Sequence, residues 1–272
     1  MVKSIRKSKY ESIVPEFIRL YEQGHSCHSI GRELNVDYRQ VWLFLKKEGI
    51  TSKRSIVNRK YKIDERSFDI LDKNCLYWLG CLFGDGSLYG NSKANYIALH
   101  GHIDDIEHGY MFKNFLKSEH PVKHIKNKKA YSFTFSSSIM IERLFDLGLY
   151  QNKTHTIKYP NYIPYELHSH FIRGLFDTDG CIFIRKRKHY TIFQGIFSIT
   201  MNKDILEYTK DIILDQLGIS PTTFGMASNK KSYTLRYEGN LRLKKIYDWL
   251  YKDAEYYLPR KKNKFDILFN RS

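Results

Sequence analysis

Leu76-Tyr77-Trp78-Leu79-Gly80-Cys81-Leu82-Phe83-Gly84-Asp85-Gly86 and Phe171-Ile172-Arg173-Gly174-Leu175-Phe176-Asp177-Thr178-Asp179-Gly180 are two versions of one pattern. Gly80 matches Gly174, Asp85 matches Asp179 and Gly86 matches Gly180, without a gap. Residues 76–84 and 171–176 are apolar nearly all round a helical period, which marks buried helices. Gly80 and Gly84 in the first, with Gly174 and Thr178 in the second, offer small surfaces for close backbone approach. Each helix is expected to close on its aspartate, with the following glycine in a left-handed C-terminal position.

A helix C-terminus carries partial negative charge, so a carboxylate there needs a positive partner. If the two helices pack together, both carboxylates meet at one end of the interface and raise each other's pKa. A divalent cation resolves that conflict. Mg2+, or Mn2+ in its place, takes hard oxygen ligands from one or two carboxylates, water and substrate phosphates. Asp85 and Asp179, with Gly84 and Thr178 beside them, are the candidate metal set. A metal held this way activates water for phosphodiester hydrolysis.

Outward from each motif the period changes from helix to strand. In the first half strands are expected at 87–89, 96–100, 122–125 and 131–136, with helices at 106–117 and 139–147. In the second, strands fall at 181–185, 191–200, 222–226 and 232–237, with helices at 204–217 and 240–251. Each half reads αββαββα. The fold class is therefore α+β, with two pseudo-symmetric halves at 71–150 and 151–272.

Residues 1–50 read as a separate all-α unit. Helices are expected at 16–23, from Ser26 to Leu34, and from Asp37 to a stop at Gly49, with Gly24 and Asn35 as breaks. The last two match a helix-turn-helix plan, in which Tyr38, Arg39 and Gln40 would meet base edges. Residues 1–62 hold 14 Lys and Arg against 6 Asp and Glu. That local excess favours DNA over other roles for a three-helix bundle. Residues 51–70 are expected to be a basic linker, with Lys53 and Arg54 tracking the DNA backbone.

The whole chain of 272 residues has 45 Lys and Arg against 29 Asp and Glu, a formal net charge of +16. Such a surplus attracts polyanions and releases their counterions. The four cysteines, Cys27, Cys75, Cys81 and Cys181, form no C-x-x-C pair and read as buried apolar residues in a reducing compartment. No apolar run resembles a signal peptide or a membrane span, so a soluble intracellular protein is expected. His100 and His102 share a strand face without a convincing third metal ligand.

The segments WLGCLFGDG and IRGLFDTDG resemble the two motifs of a single-chain LAGLIDADG homing endonuclease, and the likeness extends over nearly everything after residue 70. The resemblance implies a central interface of motif helices, Asp85 and Asp179 as metal-binding catalytic residues, and paired sheets forming a saddle over the DNA major groove. It implies staggered double-strand breaks at a long site in double-stranded DNA, made by a monomer with internal pseudo-twofold symmetry. Position six of the motif is Phe83 in one copy and Asp177 in the other, which makes Asp177 a hydrogen-bonding residue rather than a ligand. By the same resemblance, Lys153 and Lys261 are candidates for placing water or stabilising charge. On the sheets, Arg185, Arg187, Gln194, Lys230 and Arg236 are candidate DNA contacts. The competing reading is a non-cleaving DNA-binding regulator or RNA maturase on the same fold. Retention of both aspartates disfavours it. Recombinase chemistry would need a covalent Ser or Tyr nucleophile, which no motif identifies.

Overall fold

The computed structural model describes residues 11–270 except 24, 26, 51–59, 91–94, 152, 154–155 and 187–192; for Glu11, His28, Arg39, Lys46, Gly90 and Asn95 only the backbone is described. The chain divides into two compact units, Met1–Lys62 and Ile63–Ser272. The predicted stop at Gly24, the start at Ser26, and the basic residues Lys53 and Arg54 lie outside the described residues.

The first unit has three helices, α1 (Val14–Glu22), α2 (Cys27–Glu33) and α3 (Tyr38–Lys47). Phe17, Leu20, Tyr21, Cys27, Ile30, Val36, Val41 and Leu45 form its core. Asn35 supplies a left-handed residue (φ 51°) between α2 and α3. A Cβ on Gly31 would lie 2.6 Å from the Val36 carbonyl oxygen, so the tight turn requires glycine. Gly49 (φ 71°) ends α3, and the Ile50 amide returns to the Leu45 carbonyl at 2.9 Å.

The second unit begins at Ile63, inside the expected linker. Phe68 is fully buried, the Ser137 hydroxyl donates to Glu65, and the Asp64 amide bonds the Leu116 carbonyl at 2.9 Å. Residues 63–70 are therefore part of this unit. In its first half, α4 (Lys73–Gly84) is followed by β1 (Gly86–Gly90), β2 (Asn95–His102), α5 (Ile106–Phe115), β3 (Val122–Ile125), β4 (Ala130–Phe135) and α6 (Ser138–Asp146). The second half repeats the order with α7 (His168–Asp179), β5 (Gly180–Lys186), β6 (Phe193–Met201), α8 (Lys203–Leu217), β7 (Thr223–Met226), β8 (Tyr233–Glu238) and α9 (Asn240–Tyr251). A further helix, α10 (Pro259–Asn270), was not expected from the sequence.

The sheets have matching antiparallel orders, β1-β2-β4-β3 and β5-β6-β8-β7. Their registers match as well: Gly86 lies opposite Leu99 and Leu99 opposite Phe133, as Gly180 lies opposite Ile199 and Ile199 opposite Leu235. Period-two alternation buries Ile97, Leu99, Phe133 and Phe135 in one sheet and Ile182, Phe197, Ile199 and Leu235 in the other. Both sets join the motif helices in one core. Polar side chains close the helix starts: Asp72 accepts from the amides of Asn74 (2.9 Å) and Cys75 (2.8 Å), and Asn202 accepts from Ile205 (3.0 Å).

Helices α4 and α7 pack backbone against backbone. A Cβ on Gly80 would fall 2.2 Å from the Phe171 carbonyl oxygen, and one on Gly174 would fall 2.2 Å from that of Tyr77. Gly86 and Gly180 play a different part from the one expected. Gly86 is not in the left-handed region, and Gly180 is extended (φ −98°, ψ 167°). Each lets the chain pass directly from helix to strand, because a Cβ would meet the Leu82 or Phe176 carbonyl oxygen at 2.5 Å. Among the cysteines, which are all free, Cys181 is exposed, a correction to its expected burial. It pairs with Ser198 on the sheet face turned away from the core.

Because backbone cannot yield as a side-chain tip can, Gly80→Ala is expected to cost about 2 kcal/mol or more. Gly225→Ala, at a position with nothing within 4 Å of the added carbon, serves as the control. Urea denaturation curves of both variants measure this; equal midpoints would show that the helices can move apart cheaply.

Candidate active site

The packing of α4 on α7 fixes where the motif aspartates stand. The Cβ position of Gly84 lies 2.3 Å from Asp179 Oδ2 and 2.0 Å from Thr178 Oγ1, so Gly84 leaves the room that the opposite carboxylate occupies. Asp85 follows as the C-cap of α4. Burial raises the pKa of Asp85, against the pull of Lys261, Lys153 and His100. Burial and then the Asp85 charge raise Asp179 to about 6, opposed by the Thr178 hydroxyl and both lysines. Asp179 Oδ2 is buried with no hydrogen-bond partner among the described residues.

The positive partners required at the helix ends are Lys153 and Lys261. Lys153 Nζ donates to the carbonyl of Gly84 (3.0 Å) and to that of Gly86, capping α4. Lys261 Nζ donates to the carbonyls of Phe176 (2.6 Å), Asp177 (2.7 Å) and Gly180 (2.6 Å), capping α7. Burial lowers both ammonium groups to about 8, against the attraction of the nearby aspartates. An ammonium has three protons. Lys261 spends all three on carbonyls, whereas Lys153 spends two among the described residues.

Each aspartate borders its own recess. One, of about 370 Å³, is lined by Asp179, Gly84, Lys153, Thr200, Asn202, Asn229 and Lys231. The other, of about 80 Å³, is lined by Asp85, His100, His102, Asp177, Thr178 and Arg260. Arg260 is held by Asp105, with Nε 2.8 Å from both carboxylate oxygens. By the sheet registers, His100 and Thr200 are counterparts, so the recesses share a plan but not a lining.

Asp177 is a buried fastener. Its Oδ2 accepts from the Tyr77 hydroxyl on α4 (2.8 Å) and from the Leu258 amide (2.7 Å) just before α10. His108 Nε2 lies 2.6 Å from the same tyrosine oxygen. Asp177 thereby ties both motif helices to the segment carrying Lys261. Burial raises Asp177 to about 6, against Lys261 and these hydrogen bonds. Arg173, also buried, holds the end of α9 and the segment after it: Nε donates to Tyr256 O (2.9 Å) and Nη1 to Leu250 O (2.7 Å).

Of the expected site residues, Asp85, Asp179, Gly84, Thr178, Lys153 and Lys261 come together. The Thr178 hydroxyl reaches back to the carbonyls of Gly174 and Leu175, both at 3.1 Å. Arg185, Gln194 and Arg236 share the outer face of the second sheet. Lys230 (φ 54°) sits in the β7–β8 turn, and its neighbour Lys231 lines the Asp179 recess. Arg187 is outside the described residues. In the first unit Tyr38 opens α3, Gln40 lies in its first turn, and the Arg39 side chain is not described. Trp42 and Leu43, about half exposed on the same helix, were not anticipated as surface residues. A helical wheel of α3 would have found them, because they lie off the Val41–Leu45 stripe.

The donor chemistry fits a hard divalent cation: two carboxylates at one place, Asp85 open to solvent and Asp179 half-buried, the latter with a buried oxygen lacking a partner among the described residues. Among the described residues no group of three or more His, Cys, Asp or Glu could hold a metal, so water and phosphate would complete the coordination.

Comparison with known proteins gives the same fold. A family model described as LAGLIDADG-like domain matches residues 166–248, which span the second motif and its sheet. The I-LtrWI LAGLIDADG homing endonuclease bound to target DNA superposes with a TM-score of 0.53 at 12% identity, covering 73% of this chain and 91% of that one. The LAGLIDADG meganuclease I-AabMI bound to uncleaved DNA gives 0.51 at 14% identity, covering 74% and 92%. The probable translation initiation factor IF-2 of Methanocaldococcus jannaschii is 24% identical over 236 residues, 77% of this chain. The match spans only 19% of that protein's length. Most of the chain thus has the LAGLIDADG homing-endonuclease fold.

Asp179 offers a test of the site's electrostatics without any substrate. Its folded pKa is about 6, above the ordinary 3.8. Its ionisation therefore costs native stability in full above about pH 6, and the cost fades as pH falls toward the unfolded value. In EDTA, Asp179→Asn should raise Tm more at about pH 8 than at about pH 4.5. An equal change at both would mean that Asp179 titrates like an exposed carboxyl.

Proposed function

We propose that the protein is a sequence-specific, divalent-metal-dependent endonuclease that hydrolyses both strands of DNA at a long site and leaves staggered ends. The observation that carries this reading is the meeting of Asp85 and Asp179 at one end of the packed motif helices. Two neighbouring carboxylates with raised pKa values, one of them open to solvent, are a poor structural device and a good cation site. The homing endonucleases that share the fold were solved with DNA bound, which agrees with the basic charge of this chain.

Asp85 and Asp179 would hold the cation, with the Gly84 and Thr178 backbones beside them. When bound, it supplies a water of lowered pKa and charge stabilisation for the leaving oxygen. The protein's own part is placement. Lys153 keeps an ammonium facing the Asp179 recess and has a proton to offer a scissile phosphate. Lys261, with its protons spent on carbonyls, acts through its charge and by fixing the end of α7. The two recesses suit one strand each. The chain is read as a monomer, because its two halves already supply the pseudo-twofold arrangement of a duplex cutter.

The three-helix unit is read as a helix-turn-helix domain that presents Tyr38, Arg39, Gln40 and the exposed Trp42 and Leu43 of α3 to the major groove. Lys53 and Arg54 would follow the DNA backbone beyond it. No helix among the described residues is long and apolar enough to cross a membrane, and the four free cysteines suit a reducing compartment.

Asp85→Asn and Asp179→Asn should each abolish cleavage while leaving DNA affinity largely unchanged, measured by gel assay and by fluorescence anisotropy. Full cleavage by either variant would remove that residue from the catalytic set. Removal of residues 1–62 should weaken binding and flatten its salt dependence. An unchanged slope would deny the first unit a DNA role.

A further inference from the structure

The outer face of the second sheet carries a connected charged group. Arg185 on β5 donates from Nε (3.2 Å) and Nη2 (3.0 Å) to Gln194 Oε1 on β6. The same Nη2 lies 2.9 Å from Glu238 Oε2 on β8. Arg236 Nη2 lies 2.7 Å from the other Glu238 oxygen. Alternate residues of these strands, Phe197, Leu235 and Tyr237, are buried beneath. A single carboxylate therefore holds two guanidiniums and leaves the group with a net positive charge.

We propose that this group is a guanine-reading clamp, in which Arg185 and Arg236 read two closely spaced guanines in the major groove and Glu238 is their positioning residue. The proposal rests on the DNA-binding reading above and extends it to base identity. A guanidinium fork matches the O6 and N7 acceptors of guanine; adenine presents a donor at the O6 position, and neither pyrimidine offers the acceptor pair. A free arginine loses much rotamer freedom on docking. The Glu238 bridge reduces that loss by holding both guanidiniums beforehand, and Arg185 gives up its two bonds to Gln194 so that its Nε–Nη2 edge meets the guanine. Two forks on one carboxylate stand close together, so the guanines fall within about two base-pair steps at about 3.4 Å each.

The first sheet lacks this group at the described counterparts. By the matching registers, Thr134 stands where Arg236 does, and the residue two further on, where Glu238 follows Arg236, is Ser136, just past the end of β4. Thr134 instead shares a hydrogen bond with Ser132 (2.9 Å). Toward the hairpin end of β1 and β2, Tyr89 stacks on Tyr96 with ring centres 5.1 Å apart. Short hydroxyls and aromatic faces do not select guanine as a fork does. The target is accordingly asymmetric, with the guanine pair in the half under the second sheet.

The test is a binding selection in EDTA, using the full chain and a randomised duplex library, followed by sequencing of the retained DNA. Wild type should enrich a site with two guanines within about two base pairs in one half. Arg185→Ala should relax preference at one guanine and Arg236→Ala at the other, each on the order of tenfold, with other positions unchanged. Glu238→Gln should weaken both preferences while increasing retention of random DNA, because it removes a negative charge from the surface. An enriched site whose profile is the same in both arginine variants would overturn the clamp alone and leave a surface ion pair. Failure of wild type to enrich any sequence would overturn the DNA-recognition reading and the clamp with it.

Discussion

The contact on which the rest depends is between two backbones. At Gly80 and Gly174, helices α4 and α7 approach so closely that a methyl group on either would strike a carbonyl oxygen of the other helix. That approach joins the two halves through one continuous core. It also sets the helix ends side by side, which brings Asp85 and Asp179 together. A conventional interface of leucines would hold the halves more tolerantly, but it would keep the carboxylates farther apart.

The ends of these helices accumulate negative charge from two sources, the terminal carbonyls and the aspartates. Lys153 and Lys261 answer the first source directly through hydrogen bonds. They answer the second only in part, since both aspartates keep raised pKa values. The remaining imbalance is what a cation and a phosphate would relieve. Such an imbalance lowers native stability, a cost commonly found where function resides. The halves are not equal in this respect. One lysine has no proton left, one recess carries His100 where the other has Thr200, and only the second motif has the Asp177 fastener.

The duplicated αββαββα order was legible because alternation and helical period dominate each segment, and the buried face of each sheet enforces them. The motif aspartates were legible because a carboxylate at a helix C-terminus has no local explanation. Other features depend on tertiary contacts that no period reveals. Gly86 and Gly180 are glycines for lack of space, not for a left-handed turn, because the strand starts at once. Helix α10 was missed because Pro259–Asn270 is polar over most of its turns, with Phe265 and Leu268 as its buried anchors. The role of Asp177 depends on Leu258, a partner far along the chain. Residues 63–70 read as linker because their single large anchor, Phe68, gives no periodic signal.

The most direct measurement is cleavage of a randomised double-stranded DNA library with Mg2+ and with EDTA, followed by sequencing of the ends. Mg2+-dependent staggered ends recurring at one long site are the predicted result. Tight binding to the library without any cleavage in Mg2+ or Mn2+ would contradict the endonuclease reading and turn the fold toward recognition without hydrolysis.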